Sequence, residues 1–141
     1  MATINPYLTF NGNTEEIFNF YRSVFGGEFT DLTRFKEMYT EDDLSPGEGQ
    51  KIMHVALPIG GDSILMGSDT LAMSGEATVG SNFSIAISPA SVEEATRLFN
   101  GLAAGGEVTM PLDHAPWGAF FGMLTDQYGI AWMVNYENRQ Q

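Results

Sequence analysis

The fold is decided by NTEEIFNFYRSVFGGE (residues 13–28) read against SVEEATRLFNGLAAGGE (residues 91–107). In the first string Asn13 is a residue type that caps helices, and Glu15 and Glu16 sit in the first turn, where the helix dipole favours carboxylates. Ile17, Phe20, Tyr21 and Val24 then recur at helical spacing, with Phe18 and Phe25 widening the apolar stripe. Gly26-Gly27 ends the helix, since glycine takes the left-handed backbone that a helix stop needs. In the second string Ser91 followed by Glu94 is a capping box. Ala95, Leu98, Phe99 and Leu102 supply the buried stripe, and Gly105-Gly106 closes it before Glu107. The same order of cap, Glu pair, amphipathic helix, Gly pair and Glu recurs roughly 78 residues apart, which is the signature of an internal duplication.

The flanks repeat as well. Residues 4–10 and 82–88 read as the strands before the two helices. In the latter Phe83, Ile85 and Ile87 form one face, with Asn82, Ser84, Ala86 and Ser88 on the other. Three strands are expected after each helix: 28–35, 51–57 and 63–68 in the first half, then 107–112, 118–125 and 130–136 in the second. Gly60-Gly61-Asp62 makes a hairpin of the second and third strands. The expectation is therefore an α+β chain of two tandem βαβββ units, about 1–70 and 80–138, with a Gly/Ser/Thr-rich linker over 70–80. The acidic stretch 37–50 is a long loop of the kind that covers sites.

Composition narrows the function. The 141 residues carry 6 Lys and Arg against 18 Asp and Glu, a net charge of −12, and Arg97 is the only basic residue between Ile52 and Asn138. A phosphate backbone needs Lys or Arg to displace its counterions, so nucleic acid and anionic membranes are poor partners. A cationic ligand would be drawn in by the same field, although negative charge also serves solubility alone. The absence of cysteine removes disulfides, thiolate metal sites and a cysteine nucleophile. The start lacks the basic and apolar regions of a signal peptide, and a cytoplasmic location is the expectation.

Several strings resemble one family in order along nearly the whole chain: Pro6-Tyr7-Leu8, Phe10-Asn11-Gly12-Asn13, Phe20-Tyr21, Phe25-Gly26-Gly27-Glu28, Phe35-Lys36-Glu37-Met38, His54, Trp117-Gly118, Thr125-Asp126, Tyr128-Gly129 and Trp132-Met133. Together they resemble the PhnB-like branch of the vicinal-oxygen-chelate superfamily, which contains glyoxalases, bleomycin-resistance proteins and dioxygenases. The resemblance implies one domain over 1–141, a cupped mixed sheet with helices on its outer face, and a homodimer. In metal-dependent members, His, Gln or Glu side chains of the first, fourth, fifth and eighth strands bind a divalent ion. That pattern falls here on Pro6, Met66, Ser84 and Met133, none of them a plausible ligand, so neither metal nor cofactor is expected.

Two readings follow. The first is a binding protein for a small organic molecule, cationic or aromatic, held in an apolar cleft without metal. Met66, Asn82, Ser84, Trp117, Phe120 and Met133 are its expected ligand-binding residues. The second is a lyase, isomerase or dioxygenase-type enzyme using His54 as an acid or base, or an unanticipated divalent metal. Against it, His54 lies between apolar neighbours, where a histidine often serves only as a core or half-buried residue hydrogen-bonded to backbone. His114 reads as an exposed residue of a proline-bounded turn, and Asp69 and Asp126 as turn or cap residues. Arg34 is expected to pair with the acidic loop.

Overall fold

The computed structural model describes residues 2–137; residue 1 and residues 138–141, which include the outermost ends of the expected domain, lie outside the described residues. The chain divides into two compact units that meet between Thr78 and Val79. The first contains β1 (Tyr7–Phe10), α1 (Thr14–Phe25), β2 (Asp31–Arg34), β3 (Ile52–Gly60) and β4 (Ser63–Asp69). The second contains β5 (Ile85–Ile87), α2 (Val92–Ala103), β6 (Glu107–His114), β7 (Phe120–Thr125) and β8 (Ala131–Tyr136). The sheet orders are β1-β4-β3-β2 and β5-β8-β7-β6. In each the first strand runs parallel to the last and the other pairs are antiparallel. Identical connectivity in the two sheets is the duplication read from the helices, so the chain is α+β with two βαβββ units.

In the first unit the α1 stripe of Ile17, Phe18, Tyr21 and Val24 is buried. It packs on Leu8, Phe10, Val55, Leu57 and Leu65. Gly67 lies under the helix: a Cβ there would meet Phe18 ring atoms and the Leu8 carbonyl oxygen at 2.7 Å. In the second unit Ala95, Leu98, Phe99 and Leu102 of α2 are buried together with Leu124, Trp132 and Val134. Gly122 plays the same part there, its absent Cβ pointing at Phe99 from 2.7 Å. Each helix stops where glycine turns left-handed, at Gly26 (φ 81°) and Gly105 (φ 77°).

The expected cap of α2 forms, with Ser91 Oγ accepting from the Glu94 N–H at 3.0 Å. At α1 the reading requires correction, because the Asn13 side chain makes no capping bond. Asp69, at the end of β4, reaches the helix start instead. Its Oδ1 accepts from Gly12 N (2.9 Å), Thr14 N (3.0 Å) and Thr14 Oγ1 (2.6 Å), and its Oδ2 accepts from Ile52 N (2.9 Å). A tertiary carboxylate has displaced the local cap. In the second unit the buried Asp126 organises the β7–β8 turn, accepting from Tyr128 N, Ile130 N and Trp132 Nε1. Both aspartates are turn and cap residues, as their sequence positions suggested.

Strand ends differ from the expected ones for identifiable reasons. β1 begins at Tyr7 because Pro6 has no N–H, yet its carbonyl still accepts from Met66 N at 3.0 Å. Asn5 Oδ1 then takes the Ile64 N–H, a side chain continuing the ladder. β6 runs past Pro111 to His114, which an edge strand with register shifts tolerates. The segment expected as a linker is tied to the first unit. Asn11 pairs with both backbone groups of Ala77 (2.9 and 2.8 Å), and Glu48 Oε2 accepts from Ala72 N.

Substituting Asp69→Asn is expected to lower the unfolding free energy by about 3 kcal/mol, because its amide either leaves Ile52 N unpaired or turns a donor on the helix start. Gly67→Ala should cost about 2 kcal/mol by overpacking against Phe18 and the Leu8 carbonyl. Urea denaturation measures both, and a change under 0.5 kcal/mol for Asp69→Asn would show that the carboxylate is not the organising group.

Candidate functional site

Register assigns every strand residue to one of two faces, because directly paired residues share a face and neighbours along a strand alternate. In the first sheet Leu8, Gly67 and Val55 face α1. The far face therefore carries the row Tyr7, Met66, Ala56 and Asp31, and beside it Thr9, Ser68, His54 and Thr33. A bulge at Met53 lets Ile52 pair with Arg34, where regular alternation would have put Ile52 on the face of His54. Ile52 is buried with the α1 core, and His54 is left on the far face.

His54 is half-buried, as one of the sequence readings allowed, but its partner is a side chain rather than backbone. Its Nδ1 lies 2.5 Å from Asp31 Oδ2, and the two side chains keep 31% and 42% of their exposure. Asp31 Oδ1 accepts from Thr33 Oγ1 at 2.8 Å. The Tyr7 ring stands 5.9 Å from the imidazole, centroid to centroid. Hydrogen bonds from His54 and then Thr33 hold the Asp31 carboxyl below its usual range. An ionised carboxylate only accepts, so the Nδ1 of a neutral His54 carries the proton and its Nε2 presents a lone pair. Among the described residues Nε2 has no hydrogen-bond partner.

In the second sheet Ile85, Ile87, Trp132, Val134, Gly122 and Leu124 face α2. The far face carries Ala86, Met133 and Met123 in one row and Asn135 and Phe121 in the next. Asn135 Oδ1 is shielded from solvent and has no hydrogen-bond partner among the described residues.

The expected ligand-binding residues thus separate. Met66 shares the far face of its sheet with His54, and Met133 lies on the far face of the other. Trp117, 64% exposed, packs edge-on against Phe121 at 5.6 Å and so borders the Met133 face. Asn82 and Ser84 precede β5 and do not pair within it. Phe120 has the parity of Gly122, which turns it to the α2 side, where its ring meets His114 at 5.1 Å. Asp31, Tyr7 and Asn135 are candidate site residues that the sequence reading missed. The alternation Asp31-Leu32-Thr33 was visible, but pairing it with His54 requires the β2–β3 register across the long acidic loop.

The inherited metal pattern does not fit these residues. Tyr7 and Thr9, rather than Pro6, occupy the far face of β1, and the other positions present Met66, Ser84 or Ala86, and Met133. Neither the sulfurs nor the hydroxyls form a donor set for a hard or borderline divalent ion. Among the described residues no group of three or more His, Cys, Asp or Glu stands close enough to hold one.

Arg34 lies on the α1 side, and its ion-pair partner is Glu15 of α1 rather than the acidic-loop carboxylate expected from the sequence. Its guanidinium grips Glu15 of α1 with both ends (3.0 and 2.7 Å) and donates to the Gln50 carbonyl at 2.8 Å. The pair walls a cavity of about 440 Å³ with Gly12, Gly47 and Lys51. Of the loop carboxylates, Glu37 caps the Arg34 backbone N–H, and Glu48 is buried, accepting from Ser45 N and Ala72 N. These bonds hold the Glu48 carboxyl below its usual range. The loop's ordered core therefore explains part of its acidity structurally.

The chain belongs to the glyoxalase/bleomycin resistance protein/dioxygenase superfamily, whose family model matches residues 3–134. Protein YjdN of Escherichia coli K12 is 33% identical, with 97% of each chain covered. The crystal structure of protein PA1353 from Pseudomonas aeruginosa is 41% identical and superposes with a TM-score of 0.83 over 97% of this chain and 98% of that one. A PhnB protein from Bacillus cereus is 29% identical, with a TM-score of 0.73 over 96% and 99% of the two chains. Among the described residues no helix is long and apolar enough to cross a membrane.

The depressed Asp31 carboxyl has a readable consequence. A carboxyl whose pKa falls on folding adds stability that is complete above its unfolded value and vanishes as pH drops through the folded one. Urea midpoints should therefore fall on acidification below the ordinary carboxylate range, and Asp31→Asn should shallow that fall slightly, the pair being half exposed. An identical pH profile in the variant would remove this contribution.

Proposed function

We propose that this chain binds a small organic molecule on the far face of its second sheet, without the divalent ion used elsewhere in its superfamily. One observation carries the reading. Asn135 Oδ1 is a buried acceptor without a hydrogen-bond partner among the described residues, on the same face as the apolar side chains of Phe121, Met123 and Met133. Buried polar atoms are nearly always paired, so an orphan marks a place where a partner is missing. An aromatic or methionine-lined wall with one aimed acceptor is the composition of a small-molecule site. A ligand with an apolar body and a single N–H or O–H donor satisfies it, and the chain's negative field favours a neutral or cationic one. Superfamily resemblance adds the expectation of a homodimer, which elution of the chain as a monomer in gel filtration at micromolar concentration would refute.

Asn135→Leu separates this reading from a structural one. Removing an unsatisfied buried acceptor should leave the free protein unchanged or up to about 1 kcal/mol more stable. The same change should abolish the rise in melting temperature produced by an organic ligand identified by thermal shift. A ligand present at a hundred times its Kd stabilises by about 2.7 kcal/mol, well within detection. A variant less stable than its parent, with ligand response intact, would mean that Asn135 is satisfied and the site lies elsewhere. Elemental analysis of dialysed, untagged protein tests the metal-independent part. Stoichiometric zinc, nickel, manganese or iron would hand the lead to a metal-dependent enzyme.

A further inference from the structure

The far face of the first sheet carries a group that simple binding leaves unused. His54 and Asp31 come from neighbouring antiparallel strands, diagonal to one another on the same face, and their side chains meet at 2.5 Å. Both Asp31 oxygens are engaged, one by Thr33 Oγ1 and the other by His54 Nδ1. The polar atom left over is His54 Nε2, and the proton held on Nδ1 makes it an acceptor. The Tyr7 ring stands 5.9 Å from the imidazole, centroid to centroid, and Met66 shares the row of Tyr7 on the same face. The face thus offers one ring nitrogen without a partner among the described residues, beside an aromatic ring, with a carboxylate on the other ring nitrogen.

We infer that Asp31 and His54 form a proton-accepting dyad that binds a weakly acidic aromatic O–H compound, a phenol or an aromatic enol, and takes its proton. The inference concerns the far face of the first unit by itself and names the chemical class that this face would take. The step balances within the pair. The ligand O–H bond breaks, its electron pair stays on oxygen, and a new Nε2–H bond forms. The product is an imidazolium held between the Asp31 carboxylate at Nδ1 and the ligand oxyanion at Nε2. No charge enters or leaves the complex in the transfer. This matters for a chain of net charge −12, which would repel a preformed anion but admits the neutral acid. A cation would compete with Thr33 Oγ1 and His54 Nδ1 for the Asp31 oxygens, whereas an O–H donor meets an open Nε2. The dyad therefore favours the acidic ligand over the cationic one.

The experiment uses the full chain and para-nitrophenol, whose phenolate absorbs at longer wavelength than the phenol, at a pH where the free compound is mostly protonated. Binding is followed by calorimetry in two buffers of different ionisation enthalpy, and ionisation by absorbance. The expected result is saturable binding with a growing phenolate band and the same heat in both buffers, because the proton stays on the protein. His54→Gln and Asp31→Asn should each reduce the ratio of bound phenolate to bound phenol by at least about tenfold, a loss equivalent to one charge-assisted hydrogen bond. Binding without a phenolate band, or a band unchanged in both variants, overturns the dyad and leaves the small-molecule reading standing. No binding to the parent chain overturns the dyad, while Asn135→Leu and the thermal-shift ligand judge that reading separately. Nitrogen-15 shifts of the two histidines give a check that needs no variant. A neutral His54 protonated on Nε2 rather than Nδ1 would overturn the inference.

Discussion

The carboxylate of Asp69 joins the start of α1, the start of β3 and the end of β4 through four hydrogen bonds, in a setting only 3% exposed. A buried charge is tolerable when its lone pairs are filled and costly when they are not. Three of the donors are backbone N–H groups and the fourth is the Thr14 hydroxyl, so the ion is matched without a basic partner. That suits a chain with few cations. The arrangement also sets where β3 begins. With Ile52 N held by Asp69, Ile52 belongs to the α1 side, and the bulge at Met53 releases His54 to the opposite face. The chemistry available on the far face thus depends on a bond made on the helix side.

The second unit solves the same problem differently. Asp126 is also buried and also accepts backbone N–H groups, but its third partner is the indole of Trp132, and α2 keeps its own Ser91 cap. Two copies of one topology have therefore diverged in their polar anchors while keeping sheet order and helix packing. The far faces have diverged further. One presents Asp31, His54 and Tyr7, the other Met123, Met133, Phe121 and an unpaired Asn135 oxygen. At the positions where the superfamily's ligand pattern falls, methionine, tyrosine, threonine, serine and alanine stand, and these side chains make no donor set for a divalent ion.

Charge has a structural share in this chain as well as a functional one. Glu15 binds Arg34 with both oxygens, Glu37 and Glu48 cap turns in the long loop, and Asp69 and Asp126 cap helix and hairpin. Because their donors are neutral, Glu37, Glu48, Asp69 and Asp126 still add to the negative field that any ligand meets. Their capping roles are why the acidity of residues 37–50 is no evidence by itself for a cation site.

The sequence alone determined the repeated βαβββ order, the two helices, the hairpin at Gly60–Gly61 and the family. Helical periodicity, caps and glycine stops are local, so they are legible without knowing what packs against what. Met66, Met133 and His54 could also be picked out, because a resemblance places positions along a chain. Which face each residue occupies was decided only in the tertiary structure. A single extra residue at Met53 reverses a face, and one step in β7 turns Phe120 toward α2 and Phe121 away from it. The pairing of Asp31 with His54 and the isolation of Asn135 Oδ1 depend on such registers. Register is set by long-range hydrogen bonds and by the buried core, which no local pattern of residues encodes.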